Sequence, residues 1–513
     1  MRSWIVTTLA VLLVVGGCAI AALLAWPSVG VAASSTGLVG VSLPGFSGHV
    51  ERVAVREPDG TPVPVVVRHG TVWPRVRLDA GERVTVTVDV ERPGWAGWLV
   101  GRRERRTVTL VTPVPHIRST LLQPRRGAAV TVSYAEPVSR VRIGHARHRR
   151  WPAARSVVPL GVVAKGDATA GTTTVAAAVR FWEKLSKPAH VSWFVRGGGT
   201  RVVSEPAAGS RVSPRGTLTL TFAKPVAAVL GSRLPRLEPA FSGHWRQVDS
   251  HTLSFSPAGL GFGLGGSVTV RLPGTSLGWK VAPGSTLRLQ QLLARLGYLP
   301  VRWHAGADSP ATPAAEIAAA VRAPDGTFSW RYPQMPVSLR KLWKPGSWNV
   351  VTQGAVMRFE DEHGLGTDGV AGPQVWRALL RDDLAGRRYD AGYSYVFVHE
   401  NLPQSLSLWH SGRVILTSPG NTGIAQAPTA QGTWPVFEHI PVGTMSGTNP
   451  DGSHYNDPGI RWISYFHGGD ALHAFPRASF GTPQSLGCVE LPLAAAGQIW
   501  PYTPIGTLVT IES

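Results

Sequence analysis

The stretch GTPQSLGCVELP, Gly481 to Pro492, decides how the carboxyl-terminal fold is read. It holds Cys488, one of only two cysteines in 513 residues, set between Gly487 and Val489 and shortly after Ser485. The other cysteine, Cys18, lies in an apolar leader, so Cys488 has no intramolecular partner available. In an oxidising compartment such a leftover thiol is either an intermolecular link or a reactive group. Which compartment it occupies is therefore the first matter to resolve.

The amino-terminal segment, residues 1–33, reads as a signal anchor or signal peptide. Arg2 is the only Lys, Arg, Asp or Glu before Glu51, and Trp4 to Trp26 is an apolar run long enough to cross a bilayer core of about 30 Å. A retained anchor explains the length, with Arg2 on the cytoplasmic side. A cleaved signal peptide would use Val31-Ala32-Ala33 as its small-residue site. Val15-Gly16-Gly17-Cys18 resembles a lipoprotein processing box, but the apolar run continues past Cys18. Each reading places Ser34 onward outside the cytoplasm, in the cell envelope or secreted.

The length implies several domains. The net charge of +20 points outside the cell to anionic wall polymers and lipid headgroups. The basic residues are scattered, as in Arg102-Arg103-Glu104-Arg105-Arg106, without the interleaved aromatics of nucleic-acid-binding modules, and no nucleic acid partner is expected. The alternative is that the charge is simply solvated surface.

From Ser34 to about Gly274 the chain alternates with period two between turn residues, as in Arg83-Val-Thr-Val-Thr-Val-Asp-Val and Ser267-Val-Thr-Val-Arg-Leu. This patterning predicts β-sandwich modules resembling bacterial immunoglobulin-like domains, at 34–115, 116–201 and 202–280. Nothing there forms a catalytic constellation, and Trp182 and the scattered histidines are expected as core or surface residues rather than ligands. From Gly284 the period becomes helical: Leu289, Leu292, Leu293 and Leu296 share a face, and Gly297 stops the helix. Phe359, Gly364-Leu365, Asp368-Gly369, Gly372-Pro373 and Trp376 to Leu379 follow the order of a peptidoglycan-binding domain-like three-helix fold. The resemblance covers 284–381 and implies a wall-glycan partner. A departure is the Pro- and Trp-rich insert 301–349, where that family has a short loop.

From Tyr393 strands return: Tyr395-Val-Phe-Val-His, Ser405-Leu-Ser-Leu-Trp-His and Arg413-Val-Ile-Leu-Thr-Ser, then Ala427 to Val436, His473 and finally Ser485-Leu486-Gly487-Cys488. This succession resembles the L,D-transpeptidase (YkuD-type) catalytic domain over 393–513. The whole is thus expected to be multidomain and mainly β, with a membrane segment, immunoglobulin-like modules, a small three-helix wall-binding module and a β-rich L,D-transpeptidase fold.

The resemblance implies a cysteine acyltransferase acting on peptidoglycan stem peptides, with Cys488 as nucleophile and His473 as general base. The residue types suit that chemistry: a thiol with pKa near 8.5 needs a basic neighbour at neutral pH. Backbone N–H groups of Leu486, Gly487 and Cys488 are candidates for an oxyanion hole, and Ser485 for an orienting hydroxyl. His467 and Tyr465 are candidate substrate contacts, with His467 also a rival base. Two positions depart from the family: its histidine before Gly-Cys is Leu486 here, and its arginine two residues after the cysteine is Glu490. A carboxylate there is expected to raise the thiol pKa. No cofactor is implied. His454, His467 and His473 match no zinc spacing, so no metal is expected.

Overall fold

The computed structural model describes residues 16, 28–45, 48–94, 101–144, 146, 149–197, 199 and 201–513. The apolar run Trp4 to Trp26 lies almost wholly outside the described residues. Among the described residues no helix is long and apolar enough to cross a membrane. The chain is multidomain and mainly β, in two compact units: Met1–Glu205 with Leu220–Lys224, and Pro206–Thr219 with Pro225–Ser513.

In the first unit, one four-stranded sheet joins Gly30–Ala33, Val39–Ser42, Thr71–Pro74 and Val65–Arg68. A second joins Pro62–Val63, His49–Arg56, Arg83–Glu91 and Arg103–Val111. Along Arg83–Glu91 the side chains of Val84, Val86, Val88 and Val90 are buried while their neighbours are not, as the pleat requires. Trp182 joins that core and donates its indole N–H to Thr36 O at 2.8 Å. Gly30–Ala33 pairs antiparallel with Val39–Ser42, so the first described strand begins before the boundary expected at residue 33. Val31-Ala32-Ala33 therefore sits inside a strand. A five-stranded sheet built around Ala129–Ile143 and Ala170–Ala178 also lies in the unit.

The second unit opens with a four-stranded sheet that includes Ser267–Leu272 and Thr275–Val281 and continues into five helices. These are α1 (Thr286–Leu296), α2 (Pro313–Val321), α3 (Val337–Leu342), α4 (Val350–Glu362) and α5 (Pro373–Leu384). Ser285 caps α1, its hydroxyl accepting from Arg288 N–H, and Gly297 ends it with φ +100°. Leu289, Leu292, Leu293 and Leu296 are all at most 1% exposed, each burial worth about 1.5–3 kcal/mol.

Residues 301–349 are not a loop. They form the hairpin Val301–Ala305 with Gly326–Trp330, plus α2 and α3, and so raise the expected three helices to five. Glu316 of α2 pairs with the fully buried Arg288 at 2.8 Å, and Ile317, Ala320 and Leu339 enter the common core. The same core takes in Tyr395, Trp409 and Leu508 of the carboxyl-terminal strands.

Those strands are β1 (Ser394–His399), β2 (Ser405–His410), β3 (Arg413–Pro419), β4 (Gly432–Pro435), β5 (Glu438–Thr448), β6 (His454–His467), β7 (Asp470–Ala474), β8 (Val489–Leu491) and β9 (Leu508–Glu512). They make two sheets, β3-β2-β1-β9-β4 and β5-β6-β7-β8. A core including Val396, Leu406, Leu472, Val489, Leu491 and Val509 joins strands of both sheets, and α6 (Leu493–Ile499) follows β8 directly.

Candidate active site

The turn that carries Cys488 enters β8, which pairs parallel with β7 in the register Leu472 to Val489, His473 to Glu490 and Ala474 to Leu491. Leu472 and Val489 face the core shared by the two sheets. Alternation along β7 therefore puts Ala471 and His473 on the opposite face, and Cys488 immediately precedes β8. Ala471, Ile460, Ile463 and the half-buried Cys488 cluster on that face.

His473 is only 3% exposed. Its Nδ1 lies 3.0 Å from Ala474 O. A carbonyl can only accept, so Nδ1 carries the proton and Nε2 keeps a free lone pair. Burial lowers the imidazole pKa, favouring this neutral form. Cys488 Sγ donates to Gly469 O at 3.6 Å. Burial pushes the thiol up to about 12, with Asp470 and Glu490 adding to the rise and the Ala471 N–H opposing it. The resting pair is thus a neutral thiol and a neutral imidazole.

Glu490 is answered by a residue that the sequence reading passed over. Arg477 donates from Nε to Oε2 and from Nη2 to Oε1, both at 2.7 Å, and from Nη2 to Gln484 O at 3.1 Å. This is a bidentate, charge-assisted pair whose carboxylate is 4% exposed. Arg477 reaches Glu490 from the loop after β7. The single arginine between His473 and Cys488, opposite an unexpected glutamate, was the available signal.

The turn itself is held from beneath. The buried Ser485 donates to Cys488 O at 2.5 Å and accepts from Gly487 N–H at 3.3 Å. Its backbone N–H bonds Thr422 O, while its carbonyl accepts from Ile424 N–H. Asn421 exchanges both backbone bonds with Glu490, and its Oδ1 accepts from Gly481 N–H at 2.9 Å. Gln404 Nε2 in turn donates to Thr422 Oγ1 at 2.8 Å. Asn421 and Gln404, also absent from the sequence reading, thus template the thiol-bearing loop.

Gly487 is required twice. Its φ is +116°, and an added Cβ would lie 2.3 Å from Asp470 Oδ1. Because Gly487 N–H is engaged by Ser485, it is corrected as an oxyanion donor. The Leu486 and Cys488 N–H groups make no hydrogen bond among the described residues.

The remaining candidates divide. Tyr465 is near the thiol: burial first, then Cys488, raises its hydroxyl pKa, and the same holds for Tyr455. His467 is exposed, packs at a tilt against Trp434 with centroids 4.3 Å apart and faces Asp470 at 3.7 Å. Asp470 Oδ2 accepts from Ala430 N–H at 3.1 Å. Among the described residues no group of three His, Cys, Asp or Glu is arranged to hold a metal.

Residues 394–511 match the L,D-transpeptidase catalytic domain family, YkuD. A curated protein, the N-acetylmuramoyl-L-alanine amidase CwlM of Mycobacterium tuberculosis, is 31% identical over 87 residues, 17% of this chain and 21% of that protein. The chain therefore spans about a fifth of the length of that relative. Among solved structures, an L,D-transpeptidase from Mycobacterium smegmatis is 13% identical with a TM-score of 0.22, covering 61% of this chain and 100% of that one. The catalytic domain of the Enterococcus faecium L,D-transpeptidase (E. faecium) is 21% identical with a TM-score of 0.22, covering 24% of this chain and 100% of its own. The carboxyl-terminal portion of the chain is an L,D-transpeptidase catalytic domain.

Proposed function

We propose that the protein is an extracytoplasmic peptidoglycan L,D-transpeptidase that forms 3→3 cross-links through a thioester on Cys488. The observation that supports this reading is that His473 lies on β7 while Cys488 immediately precedes β8, the strand paired parallel with it, with the imidazole buried and its Nδ1 proton fixed on Ala474 O. His473 Nε2 takes the thiol proton as Sγ attacks the carbonyl carbon of the third residue, a diamino acid, in a tetrapeptide stem. Neither group is charged at rest, so proton transfer accompanies attack. The Leu486 and Cys488 N–H groups receive the oxyanion, a role typically worth about 2.7–4 kcal/mol per donor. His473 then protonates the leaving amine of the terminal D-alanine. An amine of a second stem attacks the thioester carbon, the C–S bond breaks, and the thiol is restored.

In this reading the helical module at 284–381 holds wall glycan, the upstream sheets are immunoglobulin-like spacers, and the amino-terminal segment anchors or exports the chain. The cationic surface adheres to anionic wall polymers. A second reading, a wall-binding scaffold with a silent thiol, draws on the elevated thiol pKa and on Leu486. Incubation with tetrapeptide muropeptides, followed by product masses, separates the possibilities. Cross-linked dimers with D-alanine release support transpeptidation, and trimmed monomers alone indicate an L,D-carboxypeptidase. Unchanged peptide with folded protein sinks both enzymatic readings.

A further inference from the structure

The two four-stranded sheets of the first unit share one core, and their strand ends meet where the chain enters. Gly30 lies opposite Ser42, so the entry point and the loop after Ser42 are neighbours. In the other sheet His49 opposes Glu91, and Glu91 opposes Arg103. The buried Val29 ties these two ends together, its N–H donating to Glu104 Oε1 at 3.2 Å. The opposite end is occupied by the following part of the same unit. There Trp182 donates to Thr36 O and Arg180 to Gly37 O, in the turn between Gly30–Ala33 and Val39–Ser42.

Val29 follows the apolar run Trp4 to Trp26 by three residues, or about 10 Å of fully extended chain. With that run held in a bilayer, the Gly30 end cannot leave the neighbourhood of the lipid surface. The anchored form also keeps the strand Gly30–Ala33, which cleavage after Ala33 would remove.

The surface at this end is both apolar and cationic. Leu43 is 40% exposed and is followed by Pro44. Arg102 and Arg103 are exposed. Glu51 pairs with Arg103 at 2.7 Å, whereas the Arg102 side chain makes no hydrogen bond or ion pair among the described residues. Glu104 is neutralised by Arg92 and Arg106, which removes a carboxylate that would repel anions. In the sequence, Trp95-Ala96-Gly97-Trp98-Leu99-Val100, outside the described residues, has the tryptophan-rich composition favoured at membrane interfaces.

We propose that this end of the first unit docks on the outer face of the lipid bilayer, with Arg102 and Arg103 on anionic headgroups and Leu43 in the interfacial layer. The inference rests on the anchored form of the reading above and adds an interaction surface to it.

The test uses the full chain, as C18A with C488A, reconstituted in vesicles of phosphatidylcholine and phosphatidylglycerol that carry a headgroup-level quencher. A thiol-reactive fluorophore is placed by L43C or by D59C. Asp59 lies past the far end of His49–Arg56, a strand about 25 Å long. Quenching at 43 is expected to exceed that at 59 severalfold. R102Q with R103Q should reduce quenching at 43, each arginine being worth about fivefold in the docked population. Equal quenching at both positions, or quenching at 43 that the double variant leaves unchanged, overturns the docking surface and leaves the anchor standing. A folded chain that does not float with the vesicles overturns the anchored reading and the docking surface with it.

Discussion

Cys488 and His473 behave as a pair whose protonation states are set by their surroundings. Burial lowers the His473 pKa from its ordinary value near 6.5, so acylation should rise with pH below that value, flatten through neutrality, and respond to the thiol only near about 12. A pH profile of Cys488 acylation with a midpoint at or above 6.5 contradicts this assignment. The stability linkage has a matching sign. The folded state disfavours the imidazolium, so His473's contribution is full above the unfolded pKa and is lost as pH falls through the folded one. H473Q should remove that segment of the acid unfolding curve. Glu490 illustrates what the sequence could and could not show. Its identity was plain, but its consequence depended on Arg477, thirteen residues away and joined to it only by the return of the chain after β7. R477A leaves a buried carboxylate unpaired and should cost about 3 kcal/mol in denaturant unfolding. The swap R477E with E490R should recover part of that loss, a recovery that a simple packing role for either side chain would not give.

At the scale of elements, β7 carries His473 and Cys488 immediately precedes β8, and Asn421 pairs with Glu490 of β8. Alternation in the sequence exposed most strands because one face of each is buried. The same rule located helix α1, whose leucines recur at helical spacing. It did not reveal the insert, whose strands and helices are short and whose cohesion comes from a distant buried pair. Arg288 and Glu316 lie 2.8 Å apart, each with no side-chain exposure. E316A should therefore destabilise the carboxyl-terminal unit by about 3–5 kcal/mol, read as a lowered melting temperature, whereas a dispensable loop would show no change. G487A should abolish acylation, since both the positive φ and Asp470 Oδ1 oppose a side chain there. Wild-type acylation rates in a folded G487A protein would count against the turn geometry described above.

The whole molecule combines a catalytic domain of roughly a quarter of the chain with a longer β-rich and helical amino-terminal portion. The net charge of +20 predicts that retention on anionic wall polymer weakens steeply as salt rises and the Debye length falls from about 10 Å at 0.1 M to about 3 Å at 1 M. Retention on purified sacculi that is indifferent to salt would assign wall affinity to specific glycan contacts instead. The changes of period near Gly284 and near Tyr393 coincide with the starts of α1 and β1. The start of the first sheet shows no such change, because Gly30–Ala33 continues the apolar, small-residue composition of the segment before it, and only its pairing with Val39–Ser42 sets it apart. The central claim is that Cys488, served by His473, forms a thioester with a stem peptide. It is tested most directly by intact mass spectrometry of the full chain after brief exposure to a tetrapeptide donor. The account predicts a peptide adduct on Cys488 with release of the terminal residue, absent in C488A and strongly slowed in H473Q. A folded wild-type protein that remains unmodified, or an adduct that forms equally fast in H473Q, would contradict it.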